Sequence, residues 1–492
     1  MSDGLLLGIW HSLSPLNLLF GFIGCMLGTI VGVLPGLGPT SAIAILFPIT
    51  LKLDPTPAII MLGGIFYGSQ YGGSTTSILM NVPGEASSVA TCFDGYKMAQ
   101  QGRAGQALAI SAIGSFIGGT IGIIGLTIAA PKLGEVGFYF GPPDYSALFI
   151  FSLLSMALLS SSSVLKGILM TLLGMTLSTV GITLGGVPCF TYGSAKLLKG
   201  IDLISLIVGL FGISEILIGL QEEVVTIAKS KLGKLMPSLK EFSDCTGAIF
   251  RATGLGFFMG LLPGMSGAVI TFLSYNLERR ISKNRMNFGK GAIEGVCSPE
   301  TANNAACQAA YIPLMVFGIP ASPSLAILLA ALTIHGLPPG PTLFLKHTEF
   351  FWTIVGAMYV GNVILLILNL PLVGVWARIA YIPYKLLAPI MLGLSLIGTF
   401  AIRNDLMDCM IAIIFGVFGY VAKNLNWPTA PLIMGFILGP MLEAALRSTL
   451  SISGGSMLIL LSRPIALLFV ILTILVVFLK MFFQKAEPKE AD

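Results

Sequence analysis

Apolar runs long enough to cross a membrane recur along the whole of this 492-residue chain, and they constrain its fold more than any other feature. A run of 18 or more apolar residues is typical of a membrane-spanning helix. Charged residues make up only 10% of the sequence, against roughly 25% in an ordinary soluble domain. The sequence therefore predicts an all-α polytopic membrane protein with about 10–14 membrane segments, and it excludes a soluble enzyme.

Residue types that usually build metal or catalytic centres are scattered. The three histidines and seven cysteines form no cluster and no CxxC pair, whereas a zinc site needs clustered ligands. We expect buried free thiols, no cofactor, and no metal other than Na⁺. An intramembrane enzyme would need a catalytic dyad or metal cluster that this pattern does not supply. The net charge of +5 fits the basic loops of a membrane protein and predicts no nucleic-acid partner.

The two halves of the chain repeat one another. Gly28 and Gly32 precede a Leu-Pro-Gly turn, and Gly256 and Gly260 precede a second such turn with the same spacing. Further matches keep their order, as duplicated halves with small insertions would. We predict a first repeat with an N-terminal span (residues 1–221), a cytoplasmic connector (222–245), a second repeat (246–447), a C-terminal span (448–483) and a polar tail (484–492).

Lys and Arg are placed differently in the two halves. The first basic residue is Lys52, whereas the matching parts of the second half hold a Lys-rich connector and Arg279-Arg280. The positive-inside rule makes the basic segments cytoplasmic, so we expect inverted repeats with a periplasmic N-terminus and a cytoplasmic C-terminus. The N-terminus lacks the basic region of a cleaved signal peptide, so the first span is expected to remain. Inverted repeats with Gly/Pro-interrupted helices indicate the midplane site of a secondary transporter.

Residues 71–76 read Tyr-Gly-Gly-Ser-Thr-Thr inside an apolar region. Adjacent glycines and a run of hydroxyls predict a broken helix with free backbone amides at membrane depth. Such backbone is tolerated only when it is buried in protein or lines a watery cavity, and amides beside hydroxyls favour a carboxylate. A tightly packed helix interface is the alternative, because Gly, Ser and Thr also let helices approach closely.

Residues 297–305, Cys-Ser-Pro-Glu-Thr-Ala-Asn-Asn-Ala, are the second-half counterpart. Glu300 and two adjacent asparagines are costly polar groups in an apolar region, and Pro299 frees a carbonyl one turn back. Freed carbonyls with Asn and Thr oxygens suit Na⁺ at a broken helix. A polar loop outside the membrane is the alternative.

Four Pro-containing turns, at residues 34–38, 82–84, 262–266 and 318–320, are typical of the tips of re-entrant hairpins. A plain kink is the alternative for any one of them, but matching pairs favour hairpins. The candidate substrate-binding residues come from these turns and the two polar segments: Pro35, Gly36, Gly38, Gly72, Gly73, Ser74, Thr75, Thr76, Asn81, Pro83, Gly84, Gly264, Ser266, Asn303, Asn304, Pro320 and Ser322. The candidate coupling-ion residues are Glu85, Pro299, Glu300, Thr301 and Asn303.

Other charges are expected at the edges of the membrane. Asp94 falls in a polar stretch that predicts a solvated loop, and Glu215 is expected to anchor a helix end at the interface. Arg463 is expected to face a partner subunit or lipid headgroups. Because the four broken segments contain no Lys or Arg, anion binding is expected to depend on amides, hydroxyls and a bound cation.

Long stretches of the chain resemble one known family. They are YGGSTTSILMNVPGEASSVATCFDGYKMAQQGRAGQAL, GLLPGMSG, FGKGAIEGVCSPETANNAACQAAYIPLMVFGIPASPS and HGLPPGPTLF. Together they resemble the large membrane subunit of the tripartite tricarboxylate transporters, the TctA type, over residues 10–470. Characteristic stretches of the family fall on residues 32–39, 71–77, 81–85, 260–267, 299–304 and 318–322. Ala321 stands where the family pattern leads us to expect Gly, and Met265-Ser266 replaces the Leu-Gly of the first Leu-Pro-Gly turn.

The resemblance implies a permease of the bacterial inner membrane that works with a small four-helix membrane subunit and a periplasmic solute-binding protein. It implies uptake of di- or tricarboxylates by symport with Na⁺ or H⁺, without ATP. Movement of one domain against another in an elevator-like way is expected by analogy. The alternative function is an ungated carboxylate facilitator or channel, which needs a continuous polar pore and no coupling ion. Gly-rich helices such as IGSFIGGTIGIIG also offer faces on which a homodimer could pack.

Overall fold

Helices make up nearly all of the regular structure in the computed structural model, which describes residues 2–34, 37–160, 163–183, 185–221, 233–379 and 384–486. In chain order they are α1 (Ser2–Ser12), α2 (Pro15–Val33), α3 (Pro39–Thr50), α4 (Pro55–Met80), α5 (Val89–Gln100), α6 (Ala104–Gly137), α7 (Pro142–Leu159), α8 (Val164–Ser178), α9 (Leu203–Ile207), α10 (Ser214–Gly219), α11 (Leu239–Gly260), α12 (Gly267–Ile281), α13 (Glu294–Ala309), α14 (Tyr311–Phe317), α15 (Pro323–Ile334), α16 (Pro341–Lys346), α17 (Thr348–Asn369), α18 (Val373–Ile379), α19 (Tyr384–Arg403), α20 (Leu406–Asn424), α21 (Ala430–Ile452), α22 (Ile459–Ser462) and α23 (Pro464–Ala486).

Shorter elements connect these helices. A π-helical turn (Val208–Ile213) joins α9 to α10, and 3₁₀ turns cover Ala86–Ser88, Leu197–Lys199 and Arg285–Asn287. Strands β1 (Gly181–Ile182) and β2 (Pro188–Cys189) form one antiparallel pair. Seven described helices are long and apolar enough to cross a membrane, and five shorter ones are also apolar. The predicted all-α polytopic fold is confirmed, whereas the number of crossings stays a prediction.

Helices α2 and α4 pack backbone to backbone. A Cβ atom added to Gly28 would lie 2.4 Å from the carbonyl oxygen of Ile65, and one added to Gly32 would lie 2.3 Å from that of Ser69. The contact positions advance in the same direction along both helices, so the two helices run parallel. Helix α3 must therefore carry the chain back to the end of the bundle at which α2 begins, so α2 and α3 form a helical hairpin, and whether it is re-entrant stays a prediction.

Helices α11 and α13 repeat this arrangement. A Cβ atom at Gly256 would lie 2.2 Å from the carbonyl oxygen of Ala302, and one at Gly260 would lie 2.4 Å from that of Ala306. These helices are also parallel, so α12 returns the chain as α3 does. Both pairs use small residues at the positions that the internal repeat matches. The inverted relation of the two halves and the domain boundaries stay predictions, and residues 222–232 of the connector lie outside the described residues.

The Gly-rich face of α6 packs against another helix of the same chain. A Cβ atom at Gly118 would lie 2.6 Å from the carbonyl oxygen of Thr301, and one at Gly122 would lie 2.9 Å from Cβ of Gln308. This face therefore packs on α13 and is not free to pair with a second copy. The most apolar windows of α19 and α20 are only 17% and 33% buried, against 67% for α6, so α19 and α20 lie at the periphery of the described fold.

Two buried carboxylates hold distant parts of the chain together. Asp144 is fully buried and binds Arg463 (Oδ2 to Nη2, 2.7 Å), and it accepts hydrogen bonds from the backbone amides of Gly141 (2.8 Å) and Ala466 (3.0 Å). One side chain therefore caps both α7 and α23. Arg463 thus has an acidic partner from a distant helix start, and because its side chain is still 40% exposed, the expectation that it faces a partner subunit or lipid headgroups stays a prediction.

Asp94 is the second buried carboxylate. It accepts hydrogen bonds from the Tyr275 hydroxyl (2.8 Å) and from the amides of Gly291 (2.7 Å) and Ala292 (2.8 Å). Its exposed fraction is 0%. The predicted solvated loop is therefore wrong at this position, because Asp94 lies inside α5 and ties it to the segment before α13.

Candidate substrate and coupling-ion site

A cavity of about 540 Å³ lies where helices from both halves of the chain begin. The starts of α3, α12 and α15 and the 3₁₀ turn before α5 all contribute to its wall. The predicted site residues that line this cavity are Gly38, Pro83, Gly84, Glu85, Gly264, Ser266, Asn303 and Ser322. The structure therefore brings together one group of predicted residues from each of the four turns.

Direct contacts join the four turns. Thr40 Oγ1 of α3 lies 2.8 Å from Ser324 Oγ of α15. The Gly264 amide, before α12, donates to the Ala321 carbonyl at 3.1 Å, and Gly264 has a left-handed φ of 83° that favours glycine. A Cβ atom at Gly267 would lie 2.9 Å from Cβ of Ser87. The tips of the two halves thus meet around one cavity.

The helix starts offer hydrogen-bond donors to the cavity. The first backbone amides of a helix have no partner within the helix, and together with its dipole they favour a bound anion. Pro39 and Pro323 occupy the first positions of α3 and α15, where no amide hydrogen is needed. Thr40, Ser266 and Ser324 also line the cavity, and the hydroxyls of Thr40 and Ser324 bond to each other.

Glu85 is the centre of a buried polar cluster in the wall of the cavity. It accepts hydrogen bonds from the Ser87 hydroxyl and from Asn303 Nδ2 (3.3 Å to Oε1). In one orientation of the Gln70 amide its oxygen accepts from Asn303 Nδ2 at 2.9 Å, and in the other its nitrogen donates to Glu85 Oε2 at 2.9 Å. Glu85 is 7% exposed and has no ion pair in the described part of the chain.

The remaining coupling-ion candidates lie on α13 and do not line the cavity. Glu300 is buried and accepts a hydrogen bond from Thr91 Oγ1 at 2.5 Å. Asn304 Nδ2 donates to Ser115 Oγ at 2.8 Å and to the Glu300 carbonyl at 3.1 Å. Pro299 lies inside α13, and Thr301 packs against Gly118 of α6. The predicted helix break at residues 297–305 is wrong, since α13 runs through this segment and the chain turns at residues 318–322.

The predicted break at residues 71–76 is also wrong. Helix α4 continues from Pro55 to Met80, and the hydroxyls of Ser74 and Thr76 bond to backbone carbonyls of the same helix. Gly72 packs on α2 with its Cβ position 2.5 Å from the Thr29 carbonyl oxygen. Gly72, Gly73, Ser74, Thr75 and Thr76 are all buried inside the protein and do not line the cavity. The packed helix interface, which the sequence left as the alternative, is what the fold uses here.

Other predicted residues lie in turns near the cavity. Asn81 ends α4 in the left-handed conformation (φ 58°) and is exposed, a role that asparagine commonly fills. Pro320 is buried in the turn between α14 and α15 but is absent from the cavity wall. Pro35 and Gly36 lie outside the described residues.

Several residues of the cavity wall were not predicted. Gln70 and Ser87 lie beside predicted residues, and their polar side chains in apolar surroundings were the signal that could have identified them. Lys423 and Glu215 also line the cavity as an ion pair with a 2.5 Å contact. They come from helix ends outside the Pro-containing turns, so no local pattern placed them at the site.

Comparison with known proteins identifies the family. The model of the family described as "Tripartite tricarboxylate transporter TctA family" matches residues 18–434. This chain belongs to that family. A protein of Agrobacterium vitis, described as an uncharacterized 52.8 kDa protein in the TAR-I ttuC′ 3′ region, is 44% identical over 94% of this chain and 93% of its own length. The resemblance predicted from the sequence is confirmed, and the protein is a subunit of a tricarboxylate transporter.

Two further relatives cover less of the chain. An uncharacterized protein in the TAR-II ttuC′ 3′ region of A. vitis is 43% identical over 43% of this chain and 87% of its own length. An uncharacterized protein of Methanocaldococcus jannaschii is 25% identical over 55% of this chain and 64% of its own length. No solved structure matches the TctA-family chain.

Proposed function

We propose that this TctA-family chain is the subunit that carries di- and tricarboxylates across the bacterial inner membrane, by symport with Na⁺ or H⁺. The observation that carries the proposal is the cavity in which four chain turns meet around Glu85. Its volume of about 540 Å³ lies within the roughly 300–1,000 Å³ of small-molecule sites. Backbone amides at the helix starts offer donors to carboxylates without a buried basic residue at the turns.

Glu85 supports coupling to a cation. A buried carboxylate without an ion pair is costly, and an anionic substrate in the same cavity raises that cost. A proton on Glu85, or Na⁺ held by oxygens of Glu85, Ser87 and the Gln70 or Asn303 amides, removes the repulsion. Substrate and cation would then bind together, which is the requirement for symport and favours it over an ungated facilitator.

The direction of the cavity supports the proposed orientation. Its wall includes Ser160 at the end of α7, Thr429 before α21 and Glu215 in the first turn of α10. The chain continues from α10 into the basic connector, which the positive-inside rule assigns to the cytoplasm. We therefore propose a cavity open to the cytoplasm, a periplasmic N-terminus and a cytoplasmic C-terminus. A periplasmic solute-binding protein delivers the carboxylate and a small four-helix subunit completes the complex, as in a tripartite system with elevator-like movement.

The test is uptake by vesicles that contain this chain with both partner subunits. Labelled citrate and a panel of dicarboxylates are offered under separate Na⁺ and proton gradients, with and without the binding protein. We expect accumulation that requires the binding protein and one gradient. Glu85→Gln should abolish gradient-driven accumulation, whereas Glu443→Gln, at an exposed helical pair with Arg447, should match the unmodified chain.

Each other outcome rejects a defined part of the proposal. Full accumulation by the Glu85→Gln variant would reject Glu85 as the coupling residue. Equilibration that ignores both gradients would make the protein a facilitator. Failure of the unmodified complex to take up any carboxylate would reject the substrate class.

A further inference from the structure

One wall of the cavity carries an ion pair that is separate from the helix starts. Lys423, in the last turn of α20, binds Glu215 of α10 at 2.5 Å and donates to Ser214 Oγ at 3.1 Å. Its ammonium also lies 5.7 Å from the ring centroid of Phe211. Lys423, Glu215 and Phe211 all line the cavity.

The lysine is held in place by close helix packing. A Cβ atom at Gly419, one turn before Lys423, would lie 3.0 Å from Cβ of Ser214, and one at Gly416 would lie 2.5 Å from Cγ2 of Ile213. The π-helical turn Val208–Ile213 immediately precedes Ser214, and such turns are frequent at functional sites. The ammonium is therefore positioned by backbone geometry on both helices.

Lys423 lines the cavity and has one more donor than its two hydrogen-bond partners in the described part of the chain use. An ammonium has three N–H groups, and in the described part of the chain Lys423 uses two of them, for Ser214 and Glu215. The side chains of Lys423 and Glu215 are 20% and 24% exposed, so the pair is neither sealed in the core nor fully solvated. Glu85, Glu215 and Lys423 are the charged side chains of the described cavity wall, which makes Lys423 its cation.

We propose that Lys423 binds one carboxylate of the substrate, and that Glu215 forms an ion pair with the Lys423 ammonium when no substrate is bound. This inference rests on the proposed carboxylate transport. A substrate carboxylate replaces Glu215 at Lys423, while the contacts of the ammonium with Ser214 and the Phe211 ring are kept. A second carboxylate binds the amides at the helix starts. Substrates with two or more carboxylates bind both Lys423 and the helix-start amides, whereas a monocarboxylate binds only one of the two.

The test compares apparent affinities in vesicles with the complete complex. KM is measured for citrate and succinate, and butyrate serves as a monocarboxylate inhibitor. Lys423→Gln should raise KM for citrate and succinate at least about tenfold, the effect of losing one hydrogen bond to a charged group, and should change butyrate inhibition much less. Glu215→Gln should lower KM for citrate and succinate, because the internal competitor is gone.

A double variant separates substrate binding from a structural role. The double variant Lys423→Gln with Glu215→Gln leaves two neutral side chains and therefore no unpaired charge. If the ion pair served the structure alone, KM would return to the value of the unmodified chain. We expect KM to stay high. Lys166→Gln is the matched control, since Lys166 donates to the Leu425 carbonyl at 2.8 Å and lies 5.5 Å from the Trp427 ring centroid, near the same end of α20 but outside the cavity. It should leave KM unchanged.

Three results would overturn the inference. They are an unchanged KM in Lys423→Gln, a normal KM in the double variant, and a raised KM in Glu215→Gln. In each of these cases the unmodified complex still transports carboxylates, so the proposed function stands. If the unmodified complex transports no carboxylate, the proposed function fails, and this inference fails with it.

Discussion

Gly256→Ala tests whether close packing of α11 on α13 positions the site. The new Cβ atom would lie 2.2 Å from the carbonyl oxygen of Ala302 and 2.8 Å from its Cα. Both are backbone atoms, which no side-chain rotation can move. To restore van der Waals contact, α11 must move roughly 1 Å away from α13. Helix α13 carries Asn303, and the turn after α11 carries Gly264 and Ser266, so the displacement reaches two walls of the cavity.

The expected magnitude follows from two opposing effects. Alanine in place of a helical glycine stabilises by about 1 kcal/mol, and overpacking destabilises by about 1–3 kcal/mol, or more where backbone must move. Because backbone atoms must move here, we take the upper value of about 3 kcal/mol for overpacking, which gives a net loss of about 2 kcal/mol in the free energy of unfolding. Gly254→Ala is the matched control on the same helix, because a Cβ atom there meets nothing within 4 Å. It should stabilise by about 1 kcal/mol or less.

The measurement is thermal unfolding of the purified variants in one detergent, together with carboxylate uptake. Gly256→Ala should have a lower Tm and reduced uptake, and Gly254→Ala should have an equal or higher Tm with normal uptake. Equal Tm and uptake in the two variants would refute the reasoning. It would mean that the contact between the helices is looser than the 2.2 Å approach requires.

Three further predictions concern buried polar groups. Asn303→Ala removes a donor to Glu85, a bond worth about 1.5–3 kcal/mol, so uptake should fall at least about tenfold while the protein still assembles. Asn304→Ala should instead lower Tm, because Asn304 binds Ser115 and the Glu300 carbonyl away from the cavity; a selective loss of uptake in that variant would contradict this assignment. Asp144→Ala leaves Arg463 and two amides without their acceptor. The free energy of unfolding should fall by about 2–3 kcal/mol, at or below the usual range for a broken buried ion pair, because Arg463 is partly exposed. Unchanged unfolding, and unchanged protease resistance of α23, would show that Asp144 does not anchor that helix.

Much of the fold was predictable because membrane helices and hairpin turns leave local signals. Glycines four residues apart before the Leu-Pro-Gly turns indicated the repeat, and in the structure Gly32 and Gly260 also pack against carbonyl oxygens of neighbouring helices. The same residue types misled at residues 71–76, where Gly, Ser and Thr serve packing inside a continuous α4. A short pattern of small residues cannot distinguish a broken helix from a tightly packed one, since both require the absence of bulky side chains.

The candidate site was predictable where its residues lie in the turns themselves. Gly38, Pro83, Gly264 and Ser322 were identified from Pro-containing turns, and all four line the cavity. Lys423 could not be found in this way, because it lies on an ordinary helix end and reaches the cavity only through the tertiary packing of α20 on α10.

The glycine contacts also limit how this molecule can move. Gly28, Gly32, Gly256 and Gly260 each lie over a carbonyl oxygen of the neighbouring helix, so sliding either pair along its axis would drive a side chain into the backbone. The α2–α4 and α11–α13 pairs can therefore shift only as rigid bodies. Between the two pairs, α4 and α13 meet through side chains, as where Asn303 Nδ2 donates to the Gln70 side chain at 2.9 Å. A single hydrogen bond is exchanged at little cost, so we expect any movement of one pair relative to the other to occur at such side-chain contacts.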